Sequence, residues 1–218
     1  MASLNVSKNK DYSNQEIVSQ KTFNGIVGGL VTYSLVVDAI ITYFGSTFLS
    51  GINPIIFLIA YFVCAILGII IMKASKNPFI SFIGYNMLAV PIGCVIAIVI
   101  PQCPPKTVIM AALITGSVTL IMMIISMAIP DFFLKMGRAL FVSLLVSLIG
   151  EIICFFIWGN LQIWDWIVAV IFSLYIGYDW AKINKTMDKT LNSAIDGAAD
   201  IYLDVTNLFL RILDIINN

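Results

Sequence analysis

Long apolar runs constrain this chain more than any other feature. A helix needs about 18 or more mostly apolar residues to cross the hydrocarbon core of a bilayer. Seven stretches meet that length: Phe23–Phe44, Ile55–Met72, Phe79–Ile100, Thr107–Ile129, Ala139–Ile157, Leu161–Tyr178 and Leu191–Ile216. Inside lipid each backbone N–H and C=O must find its partner within the segment, so such runs fold as helices. The 218 residues are 60% hydrophobic and 11% charged, with mean hydropathy +1.00; soluble domains carry roughly 25% charged residues. The expected fold is an all-α integral membrane protein of seven transmembrane helices. Residues 1–22 are read as a polar cytoplasmic tail and 23–218 as one domain. The connections are short and marked by Pro54, Pro78, Pro101–Pro105 and Pro130. Pro91, inside the third run, predicts a kink with a freed carbonyl.

The loop charges predict an orientation. Lys8, Lys10, Lys21, Lys73, Lys76, Lys135, Arg138, Lys182, Lys185 and Lys189 fall on one side, and only Lys106 on the other. The positive-inside rule then places the amino terminus in the cytoplasm and, with seven spans, the carboxyl terminus outside. Trp158, Trp164 and Trp166 would form an aromatic belt at the outer interface. The sequons at Asn5 and Asn184 fall on the cytoplasmic side, so no glycan is expected there. No segment of the tail reads as a cleaved signal peptide. The four cysteines form no CxxC pair and read as membrane-buried thiols. Net charge is zero and histidine is absent. These features predict no nucleic-acid partner and leave proton sensing to carboxylates.

The last run, Leu191–Ile216, is unlike the others. At 100° per residue Asp196, Asp200, Asp204, Asn207, Arg211 and Asp214 fall within an arc of roughly 80°. Ile201, Tyr202, Val205, Leu208, Phe209 and Ile212 cover the opposite side. A charge facing lipid at mid-bilayer costs about 2.5–3.5 kcal/mol on the insertion scale. This helix is therefore expected at the centre of the bundle, wrapped by the other six. Gly197, Ala198 and Ala199 would permit close approach.

The chemistry is expected at its acids. Asp179 and Asp204 lie 25 residues apart and become level across the last hairpin if the turn centres near Leu191. Two carboxylates at close range in low dielectric cannot both ionise cheaply, so they should share a proton and titrate as a pair. Their oxygens also make a weak candidate Ca²⁺ site. Asp38 and Glu151 fall in the outer halves of the first and fifth spans, near the level of Arg211. An outer ionic cluster of Arg211 with Glu151 or Asp38 is expected, the alternative being a contact from Arg211 to Asp214 or Asn207 within its own helix. With the inner pair, this cluster would bracket a polar path that includes Asp196, Asp200 and Asn207. The GxxxG of Gly25 and Gly29 predicts close helix packing inside the monomer.

The segments SLYIGYDWAKI and ADIYLDVTNLFLRIL resemble the signature of the Bax inhibitor family, the transmembrane BAX inhibitor motif proteins. Tyr178-Asp179, Tyr202-Leu203-Asp204 and Asn207-Leu208-Phe209 match its pattern; Ile201 stands where the pattern has leucine. Outside about the last 50 residues the likeness is mainly one of topology. The resemblance implies seven helices with the last one central, and a pH-dependent Ca²⁺ leak with Asp179 and Asp204 as the proton-sensing latch. Bacterial members can carry an acid in the second span and an arginine cluster after it. Here Ile55–Met72 has no acid, and Lys73 and Lys76 follow.

The expected function is a passive, proton-modulated cation leak in a bacterial plasma membrane, or in the endoplasmic reticulum if the source is eukaryotic. The protein would act as a monomer, with Ca²⁺ as permeant ion and no cofactor. Two alternatives are an interaction protein that restrains a membrane protease or death signal without conducting, and a proton-coupled secondary transporter. No histidine, nucleophile elbow, HExxH or phosphate loop suggests an enzyme.

Overall fold

The structure, a computed structural model, describes residues 17–157 and 162–217. Most of the tail, with Lys8, Lys10 and the Asn5 sequon, lies outside the described residues, as does Trp158. The described chain forms seven helices: α1 (Gln20–Leu49), α2 (Pro54–Ala74), α3 (Pro78–Val99), α4 (Pro105–Ala128), α5 (Pro130–Ile157), α6 (Gln162–Lys185) and α7 (Leu191–Asn217). A 3-10 turn, Ile100–Gln102, prolongs α3. Six of the helices, α1 to α6, are long and apolar enough to cross a membrane. Their outward faces are rich in exposed Ile, Leu, Val and Phe. In water this would be an aggregation surface; in lipid it is the solvated face. This is a multi-pass membrane protein.

Proline punctuates the bundle as expected. Pro54, Pro78, Pro105 and Pro130 each open a helix, where a missing N–H costs nothing. Asn53 and Asn77 cap α2 and α3 through their side-chain oxygens. Hydropathy alone misplaces some ends. The first helix starts at Gln20, inside the stretch read as tail, with Ser19 as its cap. The fifth starts at Pro130 and the sixth runs on to Lys185. Those extra turns carry Lys, Arg and Asp, and they are helical because helix formation does not stop where the lipid does.

The most buried helix is α7, but it is not evenly wrapped. Helices α1, α3, α4 and α6 pack along it. Its apolar side is sealed, with Ile201, Tyr202, Val205, Leu208 and Ile212 buried. Helix α2 stands mainly against α3 and meets α7 near its start, where Asn192 Nδ2 donates to Ser75 O at 2.9 Å and Ser81 Oγ at 3.1 Å. Helix α5 packs on α6 and reaches α7 through Glu151. The expected jacket of six helices is thus corrected to four, with two more touching by side chains or at an end. The acidic stripe of α7 is half-buried along most of its length.

Close helix approach occurs elsewhere than expected. A Cβ at Gly68 would lie 2.7 Å from Gly84 O, and one at Gly84 would lie 2.6 Å from Met72 N, so α2 and α3 touch backbone to backbone. At Gly25 and Gly29 a Cβ would meet nothing within 4 Å, and both are exposed. The GxxxG of α1 faces away from its own bundle.

Candidate functional site

At one end of the bundle the chain is tied together by polar contacts. Val18 N donates to Lys189 O at 2.9 Å, and Asn24 Nδ2 donates to Asn184 Oδ1, also at 2.9 Å. These contacts fix α1 against the α6–α7 turn. On α7, Gly197 gives room for Ile183 of α6, since a Cβ there would come within 2.9 Å of it. The hairpin closes with its two helices in the register that sets Asp179 beside Asp204.

The two carboxyl groups lie within interaction reach of each other across the hairpin. Both side chains are buried, at 6% and 5% exposure. Asp204 Oδ2 is buried without a donor from any other side chain or backbone group. Two ionised carboxylates are acceptors only, so a hydrogen bond between them requires one shared proton. Lys182, one turn on from Asp179, completes the group. Its Nζ donates to Asp200 Oδ2 at 2.7 Å and to Asp179 Oδ1 at 3.4 Å. Lys182 is a half-buried ammonium paired with two acids, Asp179 and Asp200.

Toward the other end of α7, Arg211 grips Glu151 of α5 with both arms of its guanidinium. Nη1 to Oε1 is 2.5 Å and Nη2 to Oε2 is 2.9 Å. Nη1 also donates to Asp165 Oδ1, in the first turn of α6, at 2.8 Å. Asp165 is buried. This ion cluster ties α5, α6 and α7 together.

Asp38 is not a member of that cluster. It lies between α1, α3 and α7, where Tyr202 Oη is 3.0 Å from each of its oxygens and 3.2 Å from Ala89 O. Tyr85, behind it, bonds Ser34 Oγ at 2.5 Å and Leu30 O at 3.0 Å. Gly93 makes room for the Asp38 carboxyl, because any Cβ there would collide with Oδ1. The rotation of α1 that buries Asp38 turns it toward Tyr202, away from Arg211.

A family model described as "Inhibitor of apoptosis-promoting Bax1" matches residues 15–218. The chain belongs to the Bax inhibitor family. Among its relatives are uncharacterized proteins of Helicobacter pylori: one in strain J99, 30% identical over 146 residues, and one in strain 26695, 29% identical over 158 residues. Those alignments cover 66% and 71% of this chain and 62% and 67% of the relatives. An uncharacterized protein of Campylobacter jejuni is 27% identical over 182 residues, 82% of this chain and 61% of that one. The chain thus spans less than two thirds of the length of the first of these relatives.

For a Bax inhibitor chain without an acid in α2, the finding that matters is the cation beside the aspartate pair. It is Lys182, on the same helix as Asp179. Its signal in the sequence was the i,i+3 spacing Asp179–Lys182, which the loop-charge count absorbed instead. Asp165 was missed because the first turn of α6 read as an interface. Of the proposed polar path, Asp200 is held by Lys182, and Asn207 Nδ2 donates back to Leu203 O at 2.7 Å. Asp196 is half-buried and engaged. The sequence reads Asp179 and Asp204 as a weak Ca²⁺ site supplied by two side chains. Calcium takes 6–8 oxygens, whereas these two acids face each other with an ammonium alongside. Among the described residues no group of three or more His, Cys, Asp or Glu is set to hold a metal.

Proposed function

We propose that this protein is a proton-gated cation leak, with Ca²⁺ as permeant ion and the Asp179–Asp204 pair as its latch. The observation that carries the reading is the close approach of two buried carboxyl groups, Asp179 and Asp204, across the α6–α7 hairpin, where a single proton would let them hydrogen-bond. With the proton in place, a charge-assisted hydrogen bond holds α6 against α7. Without it, two anions about 4 Å apart repel by roughly 4 kcal/mol at an effective dielectric of 20. Lys182 offsets part of that repulsion but is shared with Asp200. Loss of the proton therefore favours separation of the two helices and entry of a cation along the half-buried acidic stripe of α7. Protonation closes the latch and higher pH opens it. The Arg211–Glu151–Asp165 cluster stays closed on this reading and anchors α7 while its inner half moves. The protein would sit in a bacterial plasma membrane, with its amino terminus in the cytoplasm and its carboxyl terminus outside.

The test is purified protein in liposomes with an entrapped calcium dye, scanned across neutral pH. Flux linear in the calcium gradient and rising with pH is expected. Saturable flux would indicate a carrier, and no flux at any pH would favour a role exercised through a protein partner.

A further inference from the structure

On the outer half of the bundle α1 packs on α3 and α7, α4 packs on α6 and α7, and the two helices leave a cleft over α7. The cleft is a cavity of about 550 Å³. Its walls are mostly aliphatic and aromatic, but an acid and three threonines line it: Asp38, Thr42, Thr115 and Thr206. Threonine hydroxyls in helices ordinarily give their proton to a carbonyl one turn back. Thr32 and Thr206 do so, to Gly28 O and Tyr202 O, each at 2.8 Å. Thr42 and Thr115 do not: each hydroxyl is buried without a partner, and Thr115 as a whole is 3% exposed. Asp38 is 4% exposed and receives one phenol proton from Tyr202. The described residues put no lysine or arginine in ion-pair reach of it.

We propose that this cleft binds a lipophilic amine, a compact apolar body bearing one protonated nitrogen, with the nitrogen on Asp38 and a threonine hydroxyl beside it. Each feature selects for that chemistry. The volume lies in the range of drug-sized ligand pockets, and the aliphatic walls reward an apolar body. The carboxyl has no cationic partner among the described residues, and a protonated amine would supply one. Tyr43 and Phe209 add aromatic lining, which favours cations over neutral groups. A hard metal ion is a poor match, because it needs six or more oxygens where the walls offer few. A lipid acyl chain would fill the space but leave the two hydroxyls and the carboxyl unanswered. Gly116 leaves the α4 wall open: a Cβ there would meet nothing within 4 Å. This inference does not depend on the leak reading, since the Asp179–Asp204 pair takes no part in it.

The experiment is equilibrium binding to the full chain in nanodiscs of neutral lipid. The probe is a tritiated diphenylpropyl tertiary amine of about 20 non-hydrogen atoms, and the control is its neutral alcohol isostere. Saturable binding of one amine per chain is expected. Asp38→Asn should weaken the amine by at least about tenfold and the alcohol by less than about twofold, because only the charged contact is lost. Gly116→Leu, which grows into open space and leaves Asp38 intact, should abolish binding of both without lowering the melting temperature. Equal binding of amine and alcohol to the unaltered chain would overturn the proposal. So would saturable amine binding that survives Gly116→Leu. Either result would mark the cleft as a gap for lipid chains.

Discussion

Replacing Arg211 by alanine tests the packing at the carboxyl-terminal half of α7 most directly. The guanidinium satisfies two carboxylates at once: Glu151 through both arms and Asp165 through the arm it shares. Exposure of the three side chains is 22%, 16% and 6%, so water replaces little of what is lost. Breaking one buried ion pair from one side costs about 3–5 kcal/mol. Here a second effect adds to it. Glu151 Oε1 and Asp165 Oδ1 lie on the same nitrogen at 2.5 and 2.8 Å, so they are no more than about 5 Å apart. At an effective dielectric near 20 their repulsion is roughly 3 kcal/mol once the cation is gone. Protonation of one acid relieves part of this, which leaves an expected loss of about 3–5 kcal/mol near neutral pH. The loss should shrink at acid pH. Reversible unfolding in mixed micelles with rising SDS measures it. The triple variant Arg211→Met, Glu151→Met, Asp165→Asn removes every charge with modest change of volume, and it should recover most of the stability. A loss below about 1 kcal/mol for Arg211→Ala, the value for an exposed pair, would refute the reasoning. So would a triple variant no more stable than the single one.

Asp179→Asn and Asp204→Asn should each flatten the pH profile of calcium flux in liposomes, and the double variant should add little to either. Simple additivity would mean two independent acids. Lys182→Met should shift the flux profile toward higher pH, because the pair then holds its shared proton more tightly without a nearby cation; an unchanged midpoint would remove Lys182 from the latch. Gly84→Ala should destabilise the protein by about 1–3 kcal/mol, since its new methyl meets α2 backbone and not a flexible side chain, whereas Gly29→Ala should be neutral within about 0.5 kcal/mol. Reporter fusions at both ends should find the amino terminus in the cytoplasm and the carboxyl terminus outside; both in one compartment would mean an even number of spans.

The helices were legible in the chain because lipid leaves few choices. Runs such as Ile55–Met72 and Thr107–Ile129 must be helical, and Pro54, Pro78, Pro105 and Pro130 mark where new ones open. That α7 is the most buried helix could be expected from its acidic stripe, although it is the apolar side that the bundle seals; the nearness of Asp179 and Asp204 could be expected from spacing across a short turn. Both are local facts, carried by helical periodicity and hairpin register. Which acid Arg211 holds was open, because Asp38 and Glu151 stand at similar depth. The choice depends on how α1 and α5 are rotated about their axes, and apolar residues all round each helix leave that rotation unmarked. Packing settles it: Gly93 and Tyr202 receive Asp38, and Arg211 takes Glu151 and Asp165. The same indeterminacy misassigned the small residues. A glycine pair reads alike whether it faces a neighbour or lipid, so Gly25 and Gly29 drew attention that belonged to Gly68 and Gly84. The cleft beside Thr115 could not be read at all, because a cavity is where helices fail to meet, and no single segment records that.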